Sequence, residues 1–498
     1  MILPITCLLP VIGGIFIASM KQDAAKRRAV CSALVVATDI LLVFALRSRA
    51  SVTVAVFAEN VSMTFRLDGL GRLFAIVAAI LYTAVCFYGY EYMQTEEREE
   101  IFYAFFFISF GAILSVAMSA NLVTMYFCFE LLTLTTVPHV LHELTKEAIA
   151  AGLKYLFYSI GGALMGLFAV IFIYSCTQGP ADFVYGGFVD PKMAAASGTL
   201  FLAAIMAGLV GFGTKAGMYP MHGWLPTAHP IAPAPASALL SGIVAKAGVI
   251  CVIRMIYYSV GPDLIRGTWV QTAWMCLAIL TVFMGSMMAF REKIMKKRLA
   301  FSTISQISYI MLGLSLLSPE GVRGALLHLM QHAASKGCLF LVAGVFICKL
   351  GVRHVDGLKG IGARMPVTMW CFTIASLSLI GIPPLGGFLS KWVIASAALQ
   401  SAPGVFAYLG PIVLLISALL TAGYLLPVTV DAFFPQITEE GRHGEAAEAV
   451  SADALERPAG KKHDAEPSLF MLIPLIALCA VTLAVGLFGT EIVSFFGF

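Results

Sequence analysis

Leu326-Leu327-His328-Leu329-Met330-Gln331-His332-Ala333-Ala334-Ser335-Lys336 lies in an apolar run that begins near Val322 and continues through Leu339 to Gly344. A bilayer core about 30 Å thick takes about 20 apolar residues as a helix, so this run is long enough to cross one. On a helix, His328, His332 and Lys336 fall at i, i+4 and i+8 and stack on one face, a ladder about 12 Å long. Histidine titrates near neutrality, with an ordinary pKa of about 6.5, so a buried row of histidines suits proton relay. Zinc is the competing reading, because H-x-x-x-H on a helix also suits a metal. No carboxylate stands near in sequence and Lys336 would repel a cation, which favours the relay.

The same character extends over the whole chain. Of 498 residues 59% are hydrophobic and 12% charged, whereas soluble domains carry roughly 25% charged residues. Soluble, disordered, collagenous and disulfide-rich secreted classes are excluded, and the formal net charge of +4 is too small to suggest a nucleic-acid partner. The expected fold is an all-α polytopic membrane protein. About fourteen candidate spans start near Ile2, Ala29, Leu70, Ile101, Asn121, Ile149, Thr199, Ile231, Thr268, Leu299, Val322, Val367, Val405 and Leu469. Met1 to Met20 lacks a basic leading segment and reads as a retained first helix instead of a cleaved signal peptide. The 11 cysteines are scattered singly, without C-x-x-C or cluster spacing, and read as small buried hydrophobes.

Lysine and arginine counting sets the expected orientation. With the amino terminus outside, inside loops hold nineteen basic residues and outside loops and edges seven, so both termini are expected on the non-cytoplasmic face of a cell membrane. Ser51 to Arg66 alternates apolar and polar residues around Glu59-Asn60, the pattern of a short outer hairpin. Gln436 to Ser468 is polar and charged and reads as a flexible inside loop.

Six cations remain inside predicted helices: Lys154, Lys215, Lys246, Arg254, Lys336 and Lys391. The clear acids there are Glu130 and Asp39. A central Lys, Arg or Asp facing lipid costs roughly 2.5–3.5 kcal/mol, so eight such groups must face one another or water inside the bundle. Snorkelling to the headgroups suits Arg254, beside Tyr257 and Tyr258, and Lys154 near its helix end. It does not suit the short Glu130, flanked by Phe129 and Leu131, nor Lys246, which lies well inside its run. Two helices are broken by their own residues: Gly208, Gly211, Gly213, Gly217 and Pro220 surround Lys215, and Gly381-Ile382-Pro383-Pro384-Leu385-Gly386-Gly387 precedes Lys391. Discontinuous helices in corresponding halves suggest an inverted-repeat transporter. Gly161-Gly162-x-x-x-Gly166 permits close helix packing, within the chain or between chains.

The stretch from Gly213-Thr214-Lys215 through His222-Gly223-Trp224-Leu225-Pro226-Thr227-Ala228-His229-Pro230 to Pro233-Ala234-Pro235-Ala236-Ser237 resembles the signature of antiporter-like membrane subunits. That family includes the L, M and N subunits of respiratory complex I, the large Mrp-type cation/proton antiporter subunits and their membrane-bound hydrogenase counterparts. The His328/His332/Lys336 ladder with Leu339 to Gly344, and the Pro383-Pro384 break before Lys391, are similar to two further family motifs. The resemblance implies an amino-terminal unit at 1–100, two inverted five-helix repeats at 101–258 and 268–435, the loop 436–468 and a last helix at 469–498. It implies that Glu130 pairs with Lys215, that Lys246 is the central relay, that His328 and His332 link the halves and that Lys391 loads the exit. Lys154 and Lys336 are secondary. Lysine at 391 and the lack of a long lateral helix after the last span resemble a D-type Mrp subunit or its hydrogenase counterpart.

Aqueous lysine, with a pKa of about 10.4, holds its proton too tightly for exchange at neutral pH. Glu130 is therefore expected to act as a movable counter-charge for Lys215. Sodium exchange on this chain is the first alternative, weakened by scarce oxygen ligands, and a structural scaffold subunit is the second. A self-contained solute carrier lacks a substrate-sized polar constellation. No haem, flavin, quinone or nucleotide motif is present, so no cofactor is expected. Whether the parent complex is a proton-translocating oxidoreductase is left open. The expected partners are other membrane subunits, the lipid bilayer, protons and in some complexes sodium.

Overall fold

The computed structural model describes residues 2–20, 23–58, 61–435 and 466–498. These are mostly helical. α1 (Ile2–Ala18) and α2 (Ala24–Arg47) precede a hairpin of β1 (Ser51–Ala58) and β2 (Val61–Arg66). Then follow α3 (Gly69–Tyr92), α4 (Glu99–Met118), α5 (Leu122–Val140), α6 (Lys146–Ser175), α7 (Pro191–Ala216) and α8 (Leu225–Ile231). α9 (Ala234–Val260) leads to α10 (Trp269–Arg291), α11 (Met295–Ser315), α12 (Pro319–Leu350), α13 (Pro366–Ile380) and α14 (Gly386–Ser401). α15 (Phe406–Phe433) and α16 (Leu469–Phe495) complete the bundle. Among the described residues, 11 helices are long and apolar enough to cross a membrane, with Ile2–Ala18 and Pro366–Ile380 as shorter apolar helices.

Helices begin where a side chain meets the unpaired amides of a first turn. Asp68 accepts from the Gly71 amide, Asn121 from Thr124, Thr145 from Ala148 and Ser318 from Gly321. These caps start several helices before their apolar runs, at Lys146 and Pro319 instead of Ile149 and Val322. This corrects the reading of some cations as loop residues. Lys296 and Arg298 lie in the first turn of α11, 5% and 8% exposed, and Arg27 of α2 is 4% exposed. Arg27 forms an ion pair with Glu99 of α4, a buried acid that the count of intramembrane carboxylates missed.

The hairpin forms as expected, antiparallel with Ser51 opposite Arg66; its turn at Glu59-Asn60 lies outside the described residues. So does the loop read at 436–468, as far as 465. Its described end is anchored: Glu466 accepts from the Val367 amide at 2.6 Å and from the Thr368 hydroxyl at 2.6 Å, in the first turn of α13. Nine cysteines are buried, Cys276 is exposed and Cys348 intermediate, and all are free.

The centre of the bundle holds α9, buried over its whole apolar window, and α11, buried at every residue but Lys297, while α4 and α12 are buried over 83% and 78% of their apolar windows. α2 and α7 lie at the periphery, at 28% and 33%. Glycine sets the closest approach between α6 and α7: a Cβ on Gly162 would fall 2.6 Å from Gly211 O, and one on Gly211 2.5 Å from Gly162 O. The small-residue stripe therefore packs within the chain.

Both expected helix breaks are present. α7 ends at Gly217 with φ +77°, and α13 at Gly381 with φ +98°. Across the second break a Cβ at Gly387 would collide with Ser378 O. Gly387→Ala is expected to force α13 and α14 apart and to destabilise the fold by about 1–3 kcal/mol. The measurement is the thermal transition in detergent; a parental transition would show that the break tolerates a side chain.

Arg254 overturns the snorkelling reading. It is 1% exposed, and its guanidinium donates to both Asp68 carboxylate oxygens at 2.5 and 2.7 Å. The Phe183 and Tyr258 rings lie 4.8 and 4.7 Å from it. A carboxylate 186 residues away in sequence makes burial of this cation tolerable, so it need not reach the headgroups.

Candidate functional site: a buried row of ionisable side chains

Lys215 ends α7 against the Gly217 break and is 2% exposed. Its amine donates to Thr133 Oγ1 of α5 at 2.5 Å and lies 4.7 Å over the Phe129 ring and 5.7 Å over Tyr155. Glu130, one turn before Thr133, is half-buried, and its Oε1 is enclosed without a partner. Among the described residues Lys215 forms no ion pair. The implied Glu130–Lys215 contact is thus open here: a hydroxyl holds the amine while the carboxylate stands within electrostatic reach.

Lys246 lies in α9, 0% exposed. A π turn over Leu240–Val244 precedes it, in which the Ala245 amide bonds Leu240 O. That register passes over Ser241 O, which accepts from Lys246 Nζ at 2.5 Å. π turns often accompany functional sites, and the physical reason is visible here: the turn frees a carbonyl that holds an amine without any carboxylate.

The α12 ladder is formed. His328, His332 and Lys336 are each 0% exposed, and the two imidazoles stack with centroids 5.9 Å apart at 23°. His328 Nδ1 meets Ser390 Oγ at 2.9 Å and Gln331 Nε2 at 3.2 Å. His332 has neither ring nitrogen partnered. Lys336 donates to Leu299 O at 3.1 Å. Lys246, Lys336, His328 and Lys391 all lie within electrostatic reach of His332. Among the described residues no group of three His, Cys, Asp or Glu side chains is placed to hold a metal ion.

Lys391 donates to Leu379 O at 2.6 Å and Ile380 O at 2.9 Å. These carbonyls end α13, where the helix dipole is negative and no next turn consumes them. The Pro383-Pro384 break therefore supplies the counter-charge that sequence alone leaves missing. Tyr309 stands between this amine and the ladder: Lys391 Nζ is 5.0 Å from its ring and His328 packs edge-on at 5.2 Å. The Tyr309 hydroxyl donates to Ser417 Oγ at 2.6 Å.

Lys154 stands apart from the row, exposed, donating to Thr227 Oγ1 at 3.0 Å. Besides Arg27, Glu99 and Arg298, the buried groups that the sequence reading passed over include His229 and Lys296. His229 is 0% exposed, with both ring nitrogens unpartnered and Phe340 stacked at 4.8 Å. Lys296 donates to Ala232 O at 2.5 Å. The signal for His229 was present, a histidine among apolar and proline residues; Lys296 was masked by its basic neighbours.

The family described as "NADH:quinone oxidoreductase/Mrp antiporter, TM" matches residues 119–417, which include every member of the row. Curated relatives include NADH-quinone oxidoreductase subunit N of Desulforudis audaxviator, 30% identical over 86% of this chain and 82% of the relative. Hydrogenase-4 component B of Escherichia coli is 31% identical over 67% of this chain and 51% of its own length. A Na(+)/H(+) antiporter subunit of Alkalihalophilus pseudofirmus is 33% identical over 69% and 44% respectively. The chain thus spans about half the length of the latter two. Two solved assemblies contain chains of the same fold. One is an archaeal membrane-bound sulfane sulfur reductase, at 19% identity with a TM-score of 0.81 over 99% of this chain and 96% of that one. The other is the Mrp complex of Dietzia, at 22% identity with a TM-score of 0.80 over the same shares.

Proposed function

The chain belongs to the NADH:quinone oxidoreductase/Mrp antiporter transmembrane family, and from that premise we propose that it moves protons across a membrane along its buried row, as one subunit of a larger complex. Glu130 and Lys215 receive the proton, Lys246 relays it, His332 and His328 join the two halves, and Lys391 delivers it. Water bridges the gaps. The finer architecture follows the same reading: fourteen spans, with inverted repeats at 101–258 and 268–435, each containing one broken helix. The termini lie on the face away from the lysine- and arginine-rich loops.

One observation carries this reading. His332 is wholly buried with both ring nitrogens unpartnered, between amines held by hydroxyls and carbonyls instead of carboxylates. A buried polar group without a partner is costly, and structural histidines are normally satisfied. An imidazole that exchanges its proton needs a free nitrogen. The amines likewise rest on acceptors that remain after the proton has left.

Glu130 has the role of counter-charge to Lys215. Close to the amine, its carboxylate stabilises the proton there; withdrawn or neutralised, it lets the proton pass to Lys246. In the purified complex in liposomes, Glu130→Gln is expected to lower proton flux at least tenfold while the subunits stay assembled. Undiminished flux would remove Glu130 from the pathway. The same assay with and without sodium decides the alternative of cation exchange on this chain.

A further inference from the structure

The amines at the two ends of the row share a contact that the middle of the row lacks. Lys215 Nζ lies 4.7 Å from the Phe129 ring centroid, and Lys391 Nζ lies 5.0 Å from that of Tyr309. Among the described residues no ring is so placed over Lys246 or Lys336. Both rings are buried, at 2% and 0% exposure, and both are held by further contacts. Phe129 meets Phe212 of α7 edge-on, with centroids 5.5 Å apart at 88°. The Tyr309 hydroxyl is moored on Ser417 of α15, whose oxygen also contacts Ser286 of α10 at 2.5 Å and Ser305 of α11 at 3.2 Å.

A hydroxyl or carbonyl oxygen accepts from an amine whether or not the amine carries its extra proton, because neutral lysine still has N–H groups. The negative face of an aromatic ring attracts only the cation. Thr133 and the two carbonyls that end α13 therefore hold both forms of these amines, and the rings tell the forms apart. We propose that Phe129 and Tyr309 are positioning residues that favour the protonated amine at each end of the row, so that a proton rests there until a change elsewhere in the row displaces it. Lys246 and Lys336, which have no ring, carry no such preference and pass the proton on. The inference rests on the buried row carrying protons, and it adds a role for two side chains that do not themselves ionise in the relay.

The test replaces Phe129 by phenylalanines carrying one, two and three ring fluorines and measures proton flux by the full complex in liposomes. Fluorine drains charge from the ring face and changes the size of the ring little. Flux is expected to fall stepwise with each fluorine, by about tenfold at three. The same series at position 309, read relative to Tyr309→Phe, is expected to fall in the same order; if Tyr309→Phe does not accumulate, the Phe129 series decides alone. Phe74, a buried ring of α3 outside these amine contacts, is the control, and its series is expected to stay flat. A flat series at either position, or an equal fall at Phe74, would overturn the proposal. Lys215→Met and Lys391→Met separate this from failure of the relay. Flux lost in those variants beside a flat fluorine series removes only the rings, whereas parental flux in both removes the row and the rings with it.

Discussion

Lys246→Met is expected to leave the complex assembled and to reduce proton flux at least tenfold. Methionine fills similar space without a charge, so the packing of α9 between its neighbours persists while Ser241 O loses its donor. The companion variant is more telling. Lys246→Arg keeps a buried cation of similar length, but a guanidinium does not give up its proton in a protein. If Lys246 only supplied positive charge, arginine would serve; if it accepts and releases a proton, arginine is as inactive as methionine. Flux in the arginine variant near the parental rate would remove Lys246 from the relay. Assembly on native gels separates this from simple misfolding.

Asp68→Asn is expected to produce the largest loss of stability. Asparagine still caps α3, since it is as good an N-cap as aspartate. The Arg254 guanidinium, however, is left buried without its charge partner, and breaking such a pair costs about 3–5 kcal/mol. The measurement is the thermal transition and the yield of folded protein in detergent. Removing the cation as well while keeping the cap, Asp68→Asn with Arg254→Met, is expected to recover much of the loss, because paired burial itself stabilises little. A parental melting transition in Asp68→Asn would show that the pair contributes nothing. The pH dependence has a definite sign. Burial pushes the Asp68 carboxyl up, but Arg254 and the Gly71 amide together hold it below its ordinary value. Its contribution to stability is complete above the ordinary carboxyl pKa of about 3.9 and is lost as pH falls through the lowered value.

The ladder was legible because helical spacing alone puts His328, His332 and Lys336 on one face. Glu130 and Lys246 were legible because a short or central charge in an apolar run has no bland explanation. Arg254 was misread because aromatic neighbours in sequence suggested an interface, whereas its partner lies at the start of α3, beyond any local pattern. Lys296 was misread because three adjacent basic residues look like a loop, although the helix had already begun at Met295 and turned two of them inward. The glycine stripe at 161–166 left open whether its partner was in this chain, and only α7 resolved that.

The sequence by itself determined that this chain lives in a membrane, that Glu130, Lys215, Lys246, His328, His332, Lys336 and Lys391 fall within apolar helices and where two helices break, because hydropathy, span length and proline or glycine chemistry are local properties. Tertiary structure alone decided what holds each charge: a hydroxyl for Lys215, a carbonyl freed by a π turn for Lys246, the open end of α13 for Lys391 and a distant aspartate for Arg254. Those partners depend on backbone hydrogen-bond register and on contacts between residues far apart in the chain, which no periodicity encodes.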